Sequence, residues 1–72
     1  MRYAVIIEQG ETSFGAYVPD LPGCVAVGKS RAEVKNLIAD AVHMHLEGLR
    51  EEGGPLPAPQ TEVDYVEVPE AA

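Results

Sequence analysis

Ser30-Arg31-Ala32-Glu33 opens the one long amphipathic helix this chain can form, and that helix decides the architecture. The serine hydroxyl can accept from the amide three residues on while Glu33 reaches back, the pairing of a capping box. Helical spacing continues to about Glu52, where Gly53 and Gly54 supply a left-handed stop ahead of Pro55. At about 100° per residue, Val34, Leu37, Ile38, Ala41, Val42, His45 and Leu49 fall on one broad apolar stripe. Lys35, Asn36, His43, Glu47 and Arg50 take the other side. One helix with one apolar face needs one sheet to cover.

The segments around the helix supply that sheet. Residues 2 to 8 are rich in Tyr, Val and Ile, which favours a strand. Gln9 to Ser13 is a polar hairpin connection, and Phe14 to Val18 is the return strand, with Phe14, Ala16 and Val18 opposite Gly15 and Tyr17. Pro19-Asp20-Leu21-Pro22-Gly23-Cys24 then forces a reversal. Both prolines fix their own φ and push Val18 and Leu21 toward extended geometry. Pro22-Gly23 suits the centre of a type II turn. Cys24 to Val27 reads as a third strand ended by Gly28. Beyond the helix, Pro55, Pro57 and Pro59 make a stiff connector. Thr61 to Val68 reads as a last strand, with Val63 and Tyr65 on one face and Val66 and Val68 on the other, a switch that a bulge would explain.

The order β-β-β-α-β predicts an α+β two-layer fold, a mostly antiparallel sheet with the helix on one face. It forms a single domain over residues 1–68, with Pro69-Glu70-Ala71-Ala72 as a frayed tail. The sheet's other face would expose Ala4, Ile6, Tyr17 and some valines, and an apolar face of that kind usually marks an interface.

Seventy-two residues leave room for one small core, one that buries only about 60% of the unfolded surface. Self-association or a partner is a natural source of extra stability. Acids outnumber bases 12 to 5, giving a net charge of −7. The bases are scattered except near Lys29, which disfavours direct nucleic-acid binding and favours attraction to a basic partner. One cysteine cannot form an internal disulfide, and the apolar run at the N-terminus is too short for a signal peptide or membrane span. The expectation is a cytoplasmic protein with no membrane contact.

No constellation in the sequence supports catalysis, a metal or a cofactor. His43 and His45 are two apart on a helix, so they point about 160° apart and cannot share an ion. His45, mid-stripe, reads as a buried, hydrogen-bonded core histidine. Cys24 has no assignable base to make it a nucleophile. Asp20 reads as a brace of its own turn rather than a catalytic carboxylate, which would need a paired acid or base. A nuclease centred on Asp20 and His45 is the weakest reading.

The chain does resemble a known family. Tyr3-Ala4-Val5-Ile6-Ile7-Glu8, the run from Phe14 to Gly28 around Pro19-Asp20-Leu21-Pro22-Gly23-Cys24, the helix segment Ala41 to Leu49, the Gly54 to Pro59 run and the last segment are similar to the HicB antitoxins. That resemblance implies a truncated ribonuclease H-like fold. It also implies a partner: a small basic HicA-like toxin that cleaves messenger RNA, neutralised by a complex that masks its active site and RNA surface. It does not imply nuclease activity here, because that chemistry needs several acids around two metal ions. Many members continue into a DNA-binding domain, whereas this sequence stops at Ala72, so the expectation is a stand-alone short form.

The function expected is therefore that of a type II antitoxin, not an enzyme, probed by partner contacts at Tyr17, Asp20, Leu21 and Pro22. The loop is read as structure first and contact second. A homo-oligomer, dimer or tetramer, is expected alongside. The alternative is an orphan oligomeric scaffold or regulatory module with no toxin.

Overall fold

Register explains where the sheet begins. In a computed structural model describing residues 1–70, β1 (Ile6–Gln9), β2 (Phe14–Tyr17) and β3 (Val25–Gly28) precede one helix, α1 (Arg31–Glu51). Ala71 and Ala72, the end of the expected tail, lie outside the described residues. The strands pair antiparallel in the order β1-β2-β3. Ile6 lies opposite Tyr17, so any earlier residue of β1 would have to pair at or beyond Val18. There Pro19 lacks an N–H and the chain turns away, which is why the ladder starts at Ile6 rather than at Arg2.

Side chains alternate across this sheet as a half-covered antiparallel sheet requires. Ile7, Phe14, Ala16 and Ala26 join the core beneath the helix, which lies mainly over β3 and β2. Gly28 makes that approach possible: a Cβ there would sit 2.9 Å from the Val34 amide nitrogen. The helix starts as expected. The Ser30 hydroxyl accepts from the Glu33 amide at 3.0 Å, and the Glu33 carboxylate accepts from the Lys29 amide at 2.8 Å, one residue earlier than in the standard box. It stops at Gly53, whose φ of +78° is the left-handed value that favours glycine.

Two sequence expectations change here. Val34, Ile38 and Leu46 are the buried helix positions, with Val42 half-buried between them, whereas Leu37 is 41% exposed. Steps of four residues advance a helix by about 40° each, so this row drifts across the stripe and leaves Leu37 behind. His45 is half-buried at the margin and not a core histidine. The second change is the last strand, which does not form over Thr61–Val68. Its apolar residues are split between two faces, so no single face gains by docking, and Val63, Tyr65, Val66 and Val68 are 48–88% exposed. The α+β two-layer architecture stands, and its order is compatible with a truncated ribonuclease H-like fold.

Candidate functional site

The loop from Pro19 to Cys24 is built by backbone hydrogen bonds. Leu21 donates its amide to the Val18 carbonyl at 3.0 Å, and Cys24 donates to Leu21 at 3.0 Å. Val18 donates to Cys24 at 3.1 Å and closes the base. The second turn is the expected type II turn, with Gly23 at φ +86°. Leu21 points inward and is fully buried, beside buried Val18 and Cys24. The loop is therefore a plug in the core as well as a connector, which a domain this small needs.

Asp20 does not brace its own turn. Its Oδ2 accepts from the amides of Gln60 at 3.0 Å and Thr61 at 2.9 Å, and its Oδ1 accepts from the Thr61 hydroxyl at 2.8 Å. Hydrogen bonds to a carboxylate are the stronger kind, and they favour its charged form. The Thr61 amide and then its hydroxyl, with a smaller part from Gln60, hold the Asp20 carboxyl below its ordinary range against the opposing effect of desolvation. The Tyr3 hydroxyl donates to the Pro57 carbonyl, a second tether on the same segment. A cleft of about 570 Å³ lies between Arg2–Ala4 and Pro59–Val63.

These two tethers set the start of an arm. Residues 62–70 lie outside any helix or strand and are exposed, and they carry Glu62, Asp64, Glu67 and Glu70 with no base. Of the four residues expected to meet a partner, Tyr17 and Pro22 are exposed, Asp20 is half-buried and engaged, and Leu21 is wholly inside. Sequence reasoning missed the Asp20–Thr61 clamp because its partners lie 40 and 41 residues apart with no local signal. Burial pushes the Cys24 thiol up, away from the thiolate a nucleophile needs. Among the described residues, no three His, Cys, Asp or Glu side chains gather to hold a metal ion. No helix of the described residues is long and apolar enough to cross a membrane.

The fold and loop define a small α+β domain with a core-anchored loop and an exposed acidic arm. Residues 3–72 match the family described as HicB-like antitoxin of bacterial toxin-antitoxin system, and the chain belongs to that family. A solved structure titled HicA3 and HicB3 toxin-antitoxin complex contains a similar chain, 33% identical, with a TM-score of 0.68 over 83% of this chain and 70% of that one. An uncharacterized 14.9 kDa protein of Haemophilus phage HP1 is 31% identical over 70 residues, covering 97% of this chain and 53% of the phage protein. This chain thus spans about half the length of that relative. A UPF0150 protein of Thermoplasma acidophilum is 33% identical over 63 residues, covering 86% of this chain and 91% of that protein.

Proposed function

We propose that this antitoxin neutralises a small, basic, HicA-like toxin by binding it and masking its active site and RNA surface. The observation that carries this reading is the family match together with the likeness to a chain of a HicA3–HicB3 complex. Charge supports it. The net charge is −7, and residues 60–70 hold four acids and no base, so −4 of that total sits on the arm. An exposed acidic segment steers a basic partner and speeds encounter.

The toxin would meet the arm and the exposed tip of the loop at Pro22. Asp20 would act by fixing where the arm starts, and Leu21 by holding the loop rigid from within. The domain would work without chemistry of its own, in the cytoplasm where a messenger-RNA-cleaving toxin acts, and without touching nucleic acid itself. Co-expression with the product of any small basic gene found next to this one, read by growth and by recovery of a complex, tests the proposal. Growth rescue and a complex that weakens as salt rises are expected. No binding and no rescue would leave the orphan oligomeric module as the better reading.

A further inference from the structure

β1 is an edge strand, paired with β2 on one side and with no strand on the other. Proteins ordinarily protect such an edge with a charge, a proline or a covering element. The run Tyr3-Ala4-Val5-Ile6-Ile7 has neither charge nor proline. Register fixes which backbone groups are left over. The Gly10 amide donates to the Ser13 carbonyl at 2.8 Å, so alternation makes Glu8–Gly15 and Ile6–Tyr17 the hydrogen-bonded pairs of the ladder. Val5 and Ile7 therefore turn their amides and carbonyls to the free edge. Both residues are half-buried, and peptide groups in such places call for a partner.

The arm runs beside this edge across a gap. The cleft of about 570 Å³ lies between Arg2–Ala4 and Pro59–Val63, and a second of about 360 Å³ lies between Val5, Ile7 and Gln9 and the arm's Tyr65. The two follow one another along β1, and each is of the size, roughly 300–1,000 Å³, in which proteins hold ligands. The tethers keep the arm's start off the edge, because Asp20 occupies the amides of Gln60 and Thr61. The inner side of the slot is apolar. The helix lies mainly over β3 and β2 and leaves Val5, Ile7 and Phe14 half-buried.

We propose that this slot takes an extended segment of the basic toxin, added as a fourth strand beyond β1 and clasped by the arm. The inference rests on the toxin reading and adds to it where, and by what chemistry, the partner is held. Main-chain hydrogen bonds to Val5 and Ile7 supply the hold, and alternate side chains supply the choice of segment. One set of them lies beside Val5, Ile7 and Phe14 and is therefore apolar. Charge disfavours the obvious rival. A second copy, itself at −7, would bring its acids against Glu62, Asp64 and Glu67 of the arm, where a segment bearing lysine or arginine gains instead.

Amide hydrogen exchange of the full chain, followed by NMR alone and in complex with the product of the small basic gene found next to this one, tests the proposal. In the free chain the Val5 and Ile7 amides should exchange faster than those of Ile6 and Glu8, which pair with β2. In the complex they should slow by about 10-fold or more. Val5→Pro deletes an outward donor that bonds to nothing within the chain, and should weaken the complex by about 10-fold or more, with thermal melting as the check on folding. Binding that leaves both amides unprotected overturns the proposal and spares the toxin reading, as does undiminished binding by folded Val5→Pro. No binding at all removes both. Protection in the free chain that grows with concentration would give the edge to a second copy, and protection at every concentration would give it to the arm. Either result overturns the proposal.

Discussion

Replacing Leu37 and Ile38 separately by alanine separates two neighbours that the hydrophobic pattern treats alike. Ile38 is 2% exposed in the core, one helical turn beyond the equally buried Val34, whereas Leu37 is 41% exposed. Ile38→Ala removes three buried carbons, worth about 2.4 kcal/mol at ~0.8 kcal/mol each. The cavity left behind takes the loss toward the middle of the usual range of about 2–5 kcal/mol. Leu37→Ala removes as many carbons, but much of their surface already meets water, and no enclosed cavity results. Its cost should be about 1 kcal/mol, less the small gain from alanine's better helix propensity. A chain of 72 residues is stable by only about 4–11 kcal/mol, so the two variants should differ visibly. A gap of about 2 kcal/mol shifts the melting temperature of a domain this size by roughly 8–16 °C. Thermal and urea unfolding followed by circular dichroism measures it. Equal losses in the two variants would mean that the helix is rotated from the position described, and the packing argument would fall with it.

Ser30→Ala should cost about 1 kcal/mol through loss of the 3.0 Å bond to the Glu33 amide, and an unchanged melting temperature would refute the cap. Gly28→Ala should destabilise by about 1–3 kcal/mol, since its Cβ would press on the backbone of Val34. Gly48→Ala, in open space on the same helix, should instead stabilise by about 0.5–1 kcal/mol; the same sign for both in urea melts would contradict the close approach. For Asp20, the folded pKa is depressed, so its clamp is complete above the ordinary value of 3.8 and is lost as pH falls through the lower folded value. The Thr61 amide resonance should therefore titrate with a midpoint below 3.8, and a midpoint at or above it would rule out the clamp.

The parts of this fold that are legible in the sequence are those written locally. Ser30 with Glu33, Gly53 after the last helical turn, and Pro22-Gly23 each act within a few residues, and each does what its chemistry dictates. The sheet's two faces followed from a period of two, down to the exposed Tyr17 and valines. What was not legible depends on distance or on the drift of the helix across the sheet. The stripe at helical spacing could not choose Leu46 over Leu37, because that choice is made by the crossing of two elements. The role of Gly28 as a contact point between β3 and α1, in addition to ending the strand, lies in the same class. For Asp20, the sequence offered an acid in a turn, and only the return of the chain at Thr61 showed what it holds.

The last segment shows how a strand-like composition can fail to make a strand. β1 has a free edge, and Thr61–Val68 has the residues a strand favours, yet the two do not pair. Pairing would need one face of the segment to bury its apolar side chains, and Val63 and Tyr65 oppose Val66 and Val68. Three acids between Glu62 and Glu67 add a cost to any burial. The chain holds the segment instead by polar tethers at its beginning, from Tyr3 to Pro57 and from Asp20 to Gln60 and Thr61. Tethers at one end fix where an arm starts and leave its course to what it meets. Backbone groups not used in a ladder within the chain can be used in one with a partner. On the proposed reading Asp20 would serve binding by aiming the arm, a positioning role that suits a loop plugged into the core by Leu21.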